Sequence, residues 1–320
     1  MAPRAPGRSR HAARIFAIVA SDGVHIGISG WNYPGWRSVF YPPGLPHKQE
    51  LAFASRSVDT IEVNGSFYSL LRPESVKRWR DQTPSSFVFS LKGSRFITHM
   101  KRLGDVETAL ANFFASGVLA FEDKLGPILW QVPPSFRFDA ARVSAFFDHL
   151  PKTTTEAARL ARRHDHRVDG RSYTAASANR PIRYALEVRH ASFHDPTFFA
   201  LLRRHQIALC IADTAKRYPD FDEVTADFVY VRLHGATRLY ASGYARRTLE
   251  RWADRIEGWR DGSKEREVFV YFDNDAKARA PFDARTLMNI VHRPAVQRRR
   301  RGARVASSRA PNEPFRLAAR

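Results

Sequence analysis

The stretch Ile61-Glu62-Val63-Asn64 alternates strictly between apolar and polar side chains, and the pattern returns in Leu186-Glu187-Val188-Arg189 and Val231-Arg232-Leu233-His234. Successive side chains of a β-strand point to opposite faces, so the apolar members can pack beneath helices while the polar members point the other way. Charged side chains on the inner side of a closed sheet are costly unless they are paired or hydrated. Their repetition at strand ends therefore indicates the mouth of a barrel, where barrel enzymes carry their sites.

Short apolar runs alternate with longer helical patterns from residue 24 to residue 291. The predicted strands are residues 24–29, 60–64, 87–92, 128–132, 183–189, 207–213, 228–234 and 267–273, and the main predicted helices are residues 73–82, 105–122, 140–150, 196–205, 248–259 and 284–291. Repeated βα units are typical of a parallel sheet covered by helices. Eight of them over about 270 residues match a single (β/α)8 TIM-type barrel, whose usual length is about 250 residues. We therefore predict an α/β protein with one barrel domain over residues 23–292.

The composition, 43% hydrophobic and 26% charged over 320 residues, is that of a globular chain able to bury a large core. Cys210 is the single cysteine, which excludes an intramolecular disulfide and a cysteine-based zinc site. We therefore expect a reducing, cytoplasmic compartment. No apolar run approaches the roughly 18 residues that span a bilayer, so we expect no membrane partner. The sequence favours no particular oligomeric state.

The formal net charge of +20 is distributed unevenly along the chain. Residues 1–22 are predicted to be a flexible basic leader, residues 162–180 a basic segment inserted between strands 4 and 5, and residues 293–320 a disordered arginine-rich tail. The tail contains the run Arg298, Arg299, Arg300 and Arg301. Such a run attracts polyanions through counterion release without sequence selectivity, so non-specific nucleic acid is one predicted partner. A solvated tail without a partner explains the same composition.

Several short motifs follow one another along the predicted barrel. They are Gly27-Ile28-Ser29-Gly30-Trp31 with Trp36 and Phe40-Tyr41-Pro42, Glu62-Val63-Asn64 with Phe67-Tyr68, Phe89-Ser90-Leu91-Lys92, Glu187-Val188-Arg189-His190, Arg232-Leu233-His234-Gly235, and Tyr271-Phe272-Asp273-Asn274. At these motifs the chain resembles the YecE-like family, also called DUF72, and the resemblance implies a TIM barrel with its pocket at the mouth. The family has no settled activity, so no catalytic roles are implied. Phe193, where the family often has tryptophan, and Asp273, where asparagine is usual, depart from its pattern.

Alternation directs one set of polar side chains towards the barrel mouth: Ser29, Glu62, Asn64, Lys92, Gln131, Glu187, Arg189, Asp213, Arg232 and His234, with Asp273 and Asn274 competing for one position on the last strand. Our leading hypothesis is an enzyme or binder for a small anionic molecule that carries phosphate or carboxylate, without an organic cofactor. A hydrolase, lyase or isomerase would fit such a site. Lys92, Arg189 and Arg232 would clamp the anion, since the arginine fork suits either group.

The remaining roles in this hypothesis follow from residue chemistry. Glu62, Glu187, His234 and Asp213 are the candidate acids and bases, because carboxyl and imidazole groups exchange protons near neutral pH. The other candidate substrate-binding residues are Asn64, Gln131, Trp31, Tyr68 and Asn274. No residue is assigned to a metal.

Four other interpretations use parts of the same sequence. The mixed charges can form a purely structural salt-bridge network that plugs the barrel. A divalent metal site can be built from Glu62, Glu187, Asp213 and His234, although two nearby arginines would oppose the cation. A glycoside site would combine two glutamates with the aromatic residues that follow the strands, which are Trp31, Tyr33, Trp36, Phe67, Tyr68, Tyr240 and Tyr244. A nucleic-acid surface would use the basic patch Arg159, Arg162, Arg163, His164, His166, Arg167 and Arg171.

Overall fold

Eight short runs rich in β-branched and aromatic residues form the strands of the computed structural model, which describes residues 23–261 and 266–292. The strands are β1 (Val24–Ser29), β2 (Thr60–Val63), β3 (Val88–Lys92), β4 (Leu125–Gln131), β5 (Tyr184–Glu187), β6 (Ile207–Asp213), β7 (Val229–Leu233) and β8 (Val268–Phe272). They are parallel and pair in chain order, and β8 pairs with β1. The predicted (β/α)8 barrel is therefore confirmed.

Helices join the strands and cover the outside of the barrel. They are α1 (Glu50–Ala54), α2 (Gly65–Tyr68), α3 (Pro73–Gln82), α4 (Glu107–Ala115), α5 (Ala140–Asp148), α6 (Thr154–Ala161), α7 (Pro196–His205), α8 (Arg246–Asp261) and α9 (Ala280–Val291). Proline in the first turn and side-chain caps set several starts: Asp195 accepts a hydrogen bond from Thr197 N at the start of α7, and Thr153 accepts one from Glu156 N before α6. Among the described helices, none combines the length and apolarity that a membrane span requires.

The two faces of the strands separate as alternation predicts. The outward side chains Ile61, Val63, Leu186, Val188, Val231 and Leu233 are buried in the large core shared with the helices. A smaller cluster fills the inside of the barrel with Leu129, Ala185, Ala208, Cys210, Phe228, Tyr230, Phe269 and Tyr271. The polar side chains that point inward in the same alternation therefore lie close together at the carboxyl ends of the strands.

Some predicted boundaries were wrong. The helix predicted over residues 105–122 breaks at Gly117, whose φ of +117° favours glycine, into α4 and a 3-10 segment at Val118–Lys124. The strand β4 begins at Leu125, three residues before its predicted start. The last helix begins earlier than predicted, at Ala280.

The three predicted basic segments have different outcomes. The insertion over residues 162–180 contains one short 3-10 segment, His166–Val168, and is otherwise irregular, as expected. The leader over residues 1–22 and the tail over residues 293–320, with its arginine run, lie outside the described residues.

The amino-terminal end of the barrel is closed by a charged and aromatic cluster. The Glu267 carboxylate pairs with Arg183 and lies 3.0 Å from His25 Nε2. The His25 ring stacks on Phe269 with ring centroids 4.6 Å apart, and Arg183 lies over the same phenylalanine. The hydrogen bond from His25, aided by Arg183, lowers the pKa of Glu267 to about 2.

Because the pKa of Glu267 is lower in the folded than in the unfolded chain, its ionised form stabilises the fold above its unfolded pKa of about 4.3. We expect this contribution to be lost as the pH falls from about 5 to about 2. Urea denaturation over this range should show a smaller loss of unfolding free energy in Glu267→Gln than in the unmodified chain. The control Glu74→Gln, at an exposed position in α3, should keep the original pH dependence. If the unfolding free energy of Glu267→Gln depended on pH as steeply as that of the unmodified chain, Glu267 would not be the stabilising carboxylate.

Candidate functional site

The guanidinium of Arg232 lies at the centre of the barrel mouth and is 0% exposed. It donates hydrogen bonds to Glu187 Oε2 at 2.8 Å and to Glu62 Oε1 at 2.8 Å. A third hydrogen bond, of 3.0 Å, goes to Asp273 Oδ2. The arginine of β7 therefore joins carboxylates that come from β2, β5 and from the residue after β8.

The two glutamates are held by further donors. Glu62 accepts from Ser29 Oγ at 2.9 Å and from Tyr230 Oη at 2.6 Å. Glu187 accepts from Gln131 Nε2 and from Arg189 Nε, each at 2.7 Å. With these contacts the oxygens of both buried carboxylates are occupied.

Charge pairing keeps the carboxylates of Glu187 and Asp273 ionised. Burial by itself would raise the pKa of Glu187, but the neighbouring Arg189 and Arg232 outweigh it and hold the pKa well below its usual range. Burial likewise raises the pKa of Asp273, but the charge of Arg232 is the main effect that outweighs it, and the pKa of Asp273 is about 2. We call Arg232, Glu62, Glu187 and Asp273 the inner network.

The structure resolves the competition between Asp273 and Asn274. Asp273 joins the inner network, whereas Asn274 Nδ2 donates to Asp283 Oδ2 at 2.8 Å and to the carbonyl of Ser242 at 2.9 Å. Asn274 therefore fastens β8 to α9 and to the loop after β7.

His234 lies beside the inner network and is 0% exposed. Its Nδ1 is 2.9 Å from Asp273 Oδ2, and its Nε2 is 3.9 Å from Glu187 Oε1. Tyr240 stands edge-on to the imidazole with ring centroids 5.3 Å apart. Neither ring nitrogen has a hydrogen-bond partner of good geometry within the described chain, although Nδ1 lies close to Asp273.

Two cations occupy a more accessible position than the inner network. Lys92 is half-buried and its Nζ lies 4.3 Å from the centroid of the Phe67 ring. No carboxylate of the described residues lies within ion-pair distance of it. Burial, with repulsion from Arg232, lowers the pKa of Lys92 to about 8. Arg189 pairs with Glu187 and packs over the Tyr218 ring at 4.7 Å.

The other predicted site residues are spread around the rim. Half-buried Asn64 precedes α2, and its Oδ1 is buried without a hydrogen-bond partner in the described chain. Asp213 accepts a hydrogen bond from Ala215 N, and burial raises its pKa. Trp31 packs edge-on against Trp79. Tyr68 is 69% exposed and lies outside the inner network.

Two groups near the mouth were missed by the sequence analysis. Tyr230 supports Glu62, and it could have been found because it has the same inward phase on β7 as Arg232. Asp275 follows the last strand, and burial together with the charge of Asp273 raises its pKa to about 6. No period-2 pattern extends to Asp275, because β8 has already ended.

The metal interpretation is opposed by the position of the arginine. Arg232 lies among Glu62, Glu187 and Asp273, where a shared cation would have to bind. Within residues 23–261 and 266–292, no three His, Cys, Asp or Glu side chains form a group suited to a metal ion. The arrangement instead suits a site in which the protein supplies its own cations.

A family model described as "Protein of unknown function DUF72" matches residues 25–305. The UPF0759 protein YecE of Escherichia coli (strain K12) is 28% identical over 129 residues, which are 40% of this chain and 44% of YecE. The UPF0759 protein YunF of Bacillus subtilis (strain 168) is 26% identical over 119 residues, 35% of this chain and 41% of YunF. The aligned regions thus span less than half the length of these curated relatives. A DUF72 family protein from Thermotoga maritima MSB8 shares the fold, with a TM-score of 0.67, 23% identity and coverage of 84% of this chain and 99% of that chain.

Replacing Arg232 with methionine should destabilise the fold strongly, because three buried carboxylates would lose their common counter-charge. We expect the unfolding free energy to fall by about 3–5 kcal/mol, measured by urea denaturation. The exposed control Arg247→Met should change it by less than about 0.5 kcal/mol. Adding Glu62→Gln to Arg232→Met should restore part of the loss, and a loss no larger than that of the control would refute the central role of Arg232.

Proposed function

The chain belongs to the DUF72 family, and we propose that its barrel mouth binds a small molecule carrying a phosphate or carboxylate group. The observation that carries this proposal is Lys92, a half-buried ammonium at the mouth that packs on an aromatic ring and has no carboxylate of the described residues within ion-pair distance. A buried cation without an anionic partner is unfavourable, and a bound anion would relieve that cost.

The hydrogen bonds of the inner network support the same conclusion, because they engage the carboxylates that would otherwise repel an incoming anion. Glu62 and Glu187 accept hydrogen bonds from Arg232 and from neighbouring donors, and the charges of Arg189 and Arg232 offset two of the three carboxylates. A salt-bridge network with only a structural role accounts for these residues, whereas Lys92 makes no ion pair with any of its carboxylates. We therefore assign Arg232 to positioning, and Lys92 and Arg189 to direct contact with the anion. Gln131 and Asn64 are assigned to its polar surroundings.

Proton transfer, where the bound molecule reacts, is assigned to His234. Nδ1 lies 2.9 Å from Asp273 Oδ2, close enough for the carboxylate to orient the ring, and neither ring nitrogen is engaged in a hydrogen bond of good geometry among the described residues. Glu187 and Glu62 are less suited to exchange protons because their oxygens are engaged by other groups. In this proposal the two glutamates hold the arginines in place, and Asp213 remains a rim acid next to the site.

Lys92→Met should weaken the binding of sulfate, used as a probe, by about tenfold or more, because a charge-assisted contact is lost. Isothermal titration calorimetry would measure the dissociation constant. The control Lys152→Met removes the same charge at an exposed position before α6 and should leave the constant within about twofold. Equal affinities for sulfate in the two variants would count against the proposal.

Sulfate affinity should also decrease as the pH rises through the pKa of Lys92, which is about 8. Only the protonated amine attracts the anion, so the affinity falls by up to about tenfold per pH unit above the pKa and levels off near the affinity of Lys92→Met. Sulfate remains a dianion throughout this range, so the decrease reports on the protein. In Lys92→Met the decrease between about pH 7 and about pH 10 should be absent. A pH profile shared by both proteins would assign the titration to another group.

A further inference from the structure

A second cationic feature lies outside the barrel mouth, between the loop that precedes α3 and the basic insertion. It is a surface groove of about 530 Å³ that is lined by Ser69, Leu70, Arg72, Arg167 and Arg171. The fold thus adds Arg72, which is distant in sequence, to two members of the predicted basic patch. We call this feature the arginine groove.

The groove is held in shape by contacts between its two sides. Arg171 donates from Nη1 to the Leu71 carbonyl at 3.2 Å and from Nη2 to the Arg167 carbonyl at 3.0 Å. Lys77 of α3 lies over the Tyr173 ring of the insertion, 5.3 Å from its centroid. The groove is therefore formed by the folded chain before any ligand arrives.

The charges of the groove are only partly compensated. Arg167 pairs with Asp165, but Arg72 and Arg171 have no carboxylate partner within the described parts of the chain. Arg72 is exposed, and the Arg171 guanidinium keeps free donors beyond its two carbonyl contacts. Guanidinium groups with free donors are suited to phosphate oxygens.

An exposed aromatic ring adjoins this groove in the chain. Tyr68 immediately precedes Ser69 and is 69% exposed, and the Phe67 ring meets it edge-on with centroids 5.0 Å apart. Proteins that bind single-stranded nucleic acid combine a cationic groove for the backbone with aromatic rings on which bases stack. A duplex keeps its bases inside and offers no free base to such a ring.

We propose that the arginine groove binds single-stranded nucleic acid. Arg72, Arg167 and Arg171 contact the phosphates, and Tyr68 stacks against a base. This activity is separate from the anion site at the mouth, which uses Lys92. It also differs from attraction by an arginine-rich tail, because it requires a fixed groove and a ring.

The first test compares two charge-matched variants of the full chain. Fluorescence anisotropy would follow binding of an oligodeoxythymidine of about 15 nucleotides. Arg72→Gln/Arg167→Gln/Arg171→Gln should bind about tenfold or more weakly. In a plot of log affinity against log salt concentration between about 50 and 200 mM NaCl, the slope of this variant should be smaller in magnitude by about 2 than that of the unmodified chain. The control Arg246→Gln/Arg247→Gln/Arg251→Gln removes three charges from α8 and should have a much smaller effect.

The second test concerns the ring. Tyr68→Ala should weaken oligodeoxythymidine binding by about tenfold with an unchanged salt slope, because stacking releases no counterions. A duplex of the same length should bind more weakly than the single strand and should not respond to Tyr68→Ala. Should the triple groove variant fail to fold, Tyr68→Ala/Arg72→Gln changes only two exposed side chains and serves in its place.

Three results would overturn the inference. The first is an absence of oligonucleotide binding at low salt. The second is an equal loss in the groove and α8 variants, which would assign binding to the overall charge or to the tail. The third is equal affinity for single strand and duplex with no effect of Tyr68→Ala. Circular dichroism would first establish that each variant is folded.

Discussion

The hydrogen bonds that Arg232 donates to Glu62, Glu187 and Asp273 are the constraint on which the mouth of this barrel depends. A planar guanidinium with several donors can satisfy carboxylates that approach from different sides, which a lysine ammonium cannot do with the same geometry. Burying these charges is costly, and the cost is recovered only if all of them are paired and hydrogen-bonded together. The network therefore fixes the ends of β2, β5, β7 and β8 relative to one another.

A hydrogen-bonded layer beneath Arg232 makes this burial feasible. Tyr230 donates to Glu62, and Tyr271 Oη lies 2.6 Å from Ser90 Oγ and 2.9 Å from Thr60 Oγ1. The two tyrosine rings pack together with centroids 5.1 Å apart. The hydroxyl groups of this layer therefore have hydrogen-bond partners, which lowers the cost of burying them. Near the mouth, His234 keeps ring nitrogens without hydrogen-bond partners, and Lys92 has no ion-pair partner among the described residues.

The two proposed anion sites rest on different electrostatics. Lys92 is half-buried, so its charge is poorly screened and responds strongly to its neighbours and to pH. The arginine groove is open to solvent, so its attraction depends on several charges acting together and weakens with salt. A chain with a net charge of +20 can carry both kinds of site. The Lys92 site would attract a small anion through one half-buried charge, and the arginine groove would attract a nucleic acid through several exposed charges and ring stacking.

The sequence by itself determined the strands, the barrel and the inward phase of Glu62, Glu187, Arg232 and His234, because the alternation of side chains along a strand is a local property. Which inward side chains pair depends on how the sheet closes into a barrel. Closure brings together residues as distant in sequence as Glu62 and Arg232, which are 170 positions apart. The tertiary structure was therefore needed to show that both glutamates pair with one guanidinium, and that Asp273 rather than Asn274 joins them. Tertiary packing also decided that Tyr68 is exposed and that Arg72 and Arg171 line one groove. The sequence could not show this, because no periodic pattern links a loop to a distant insertion.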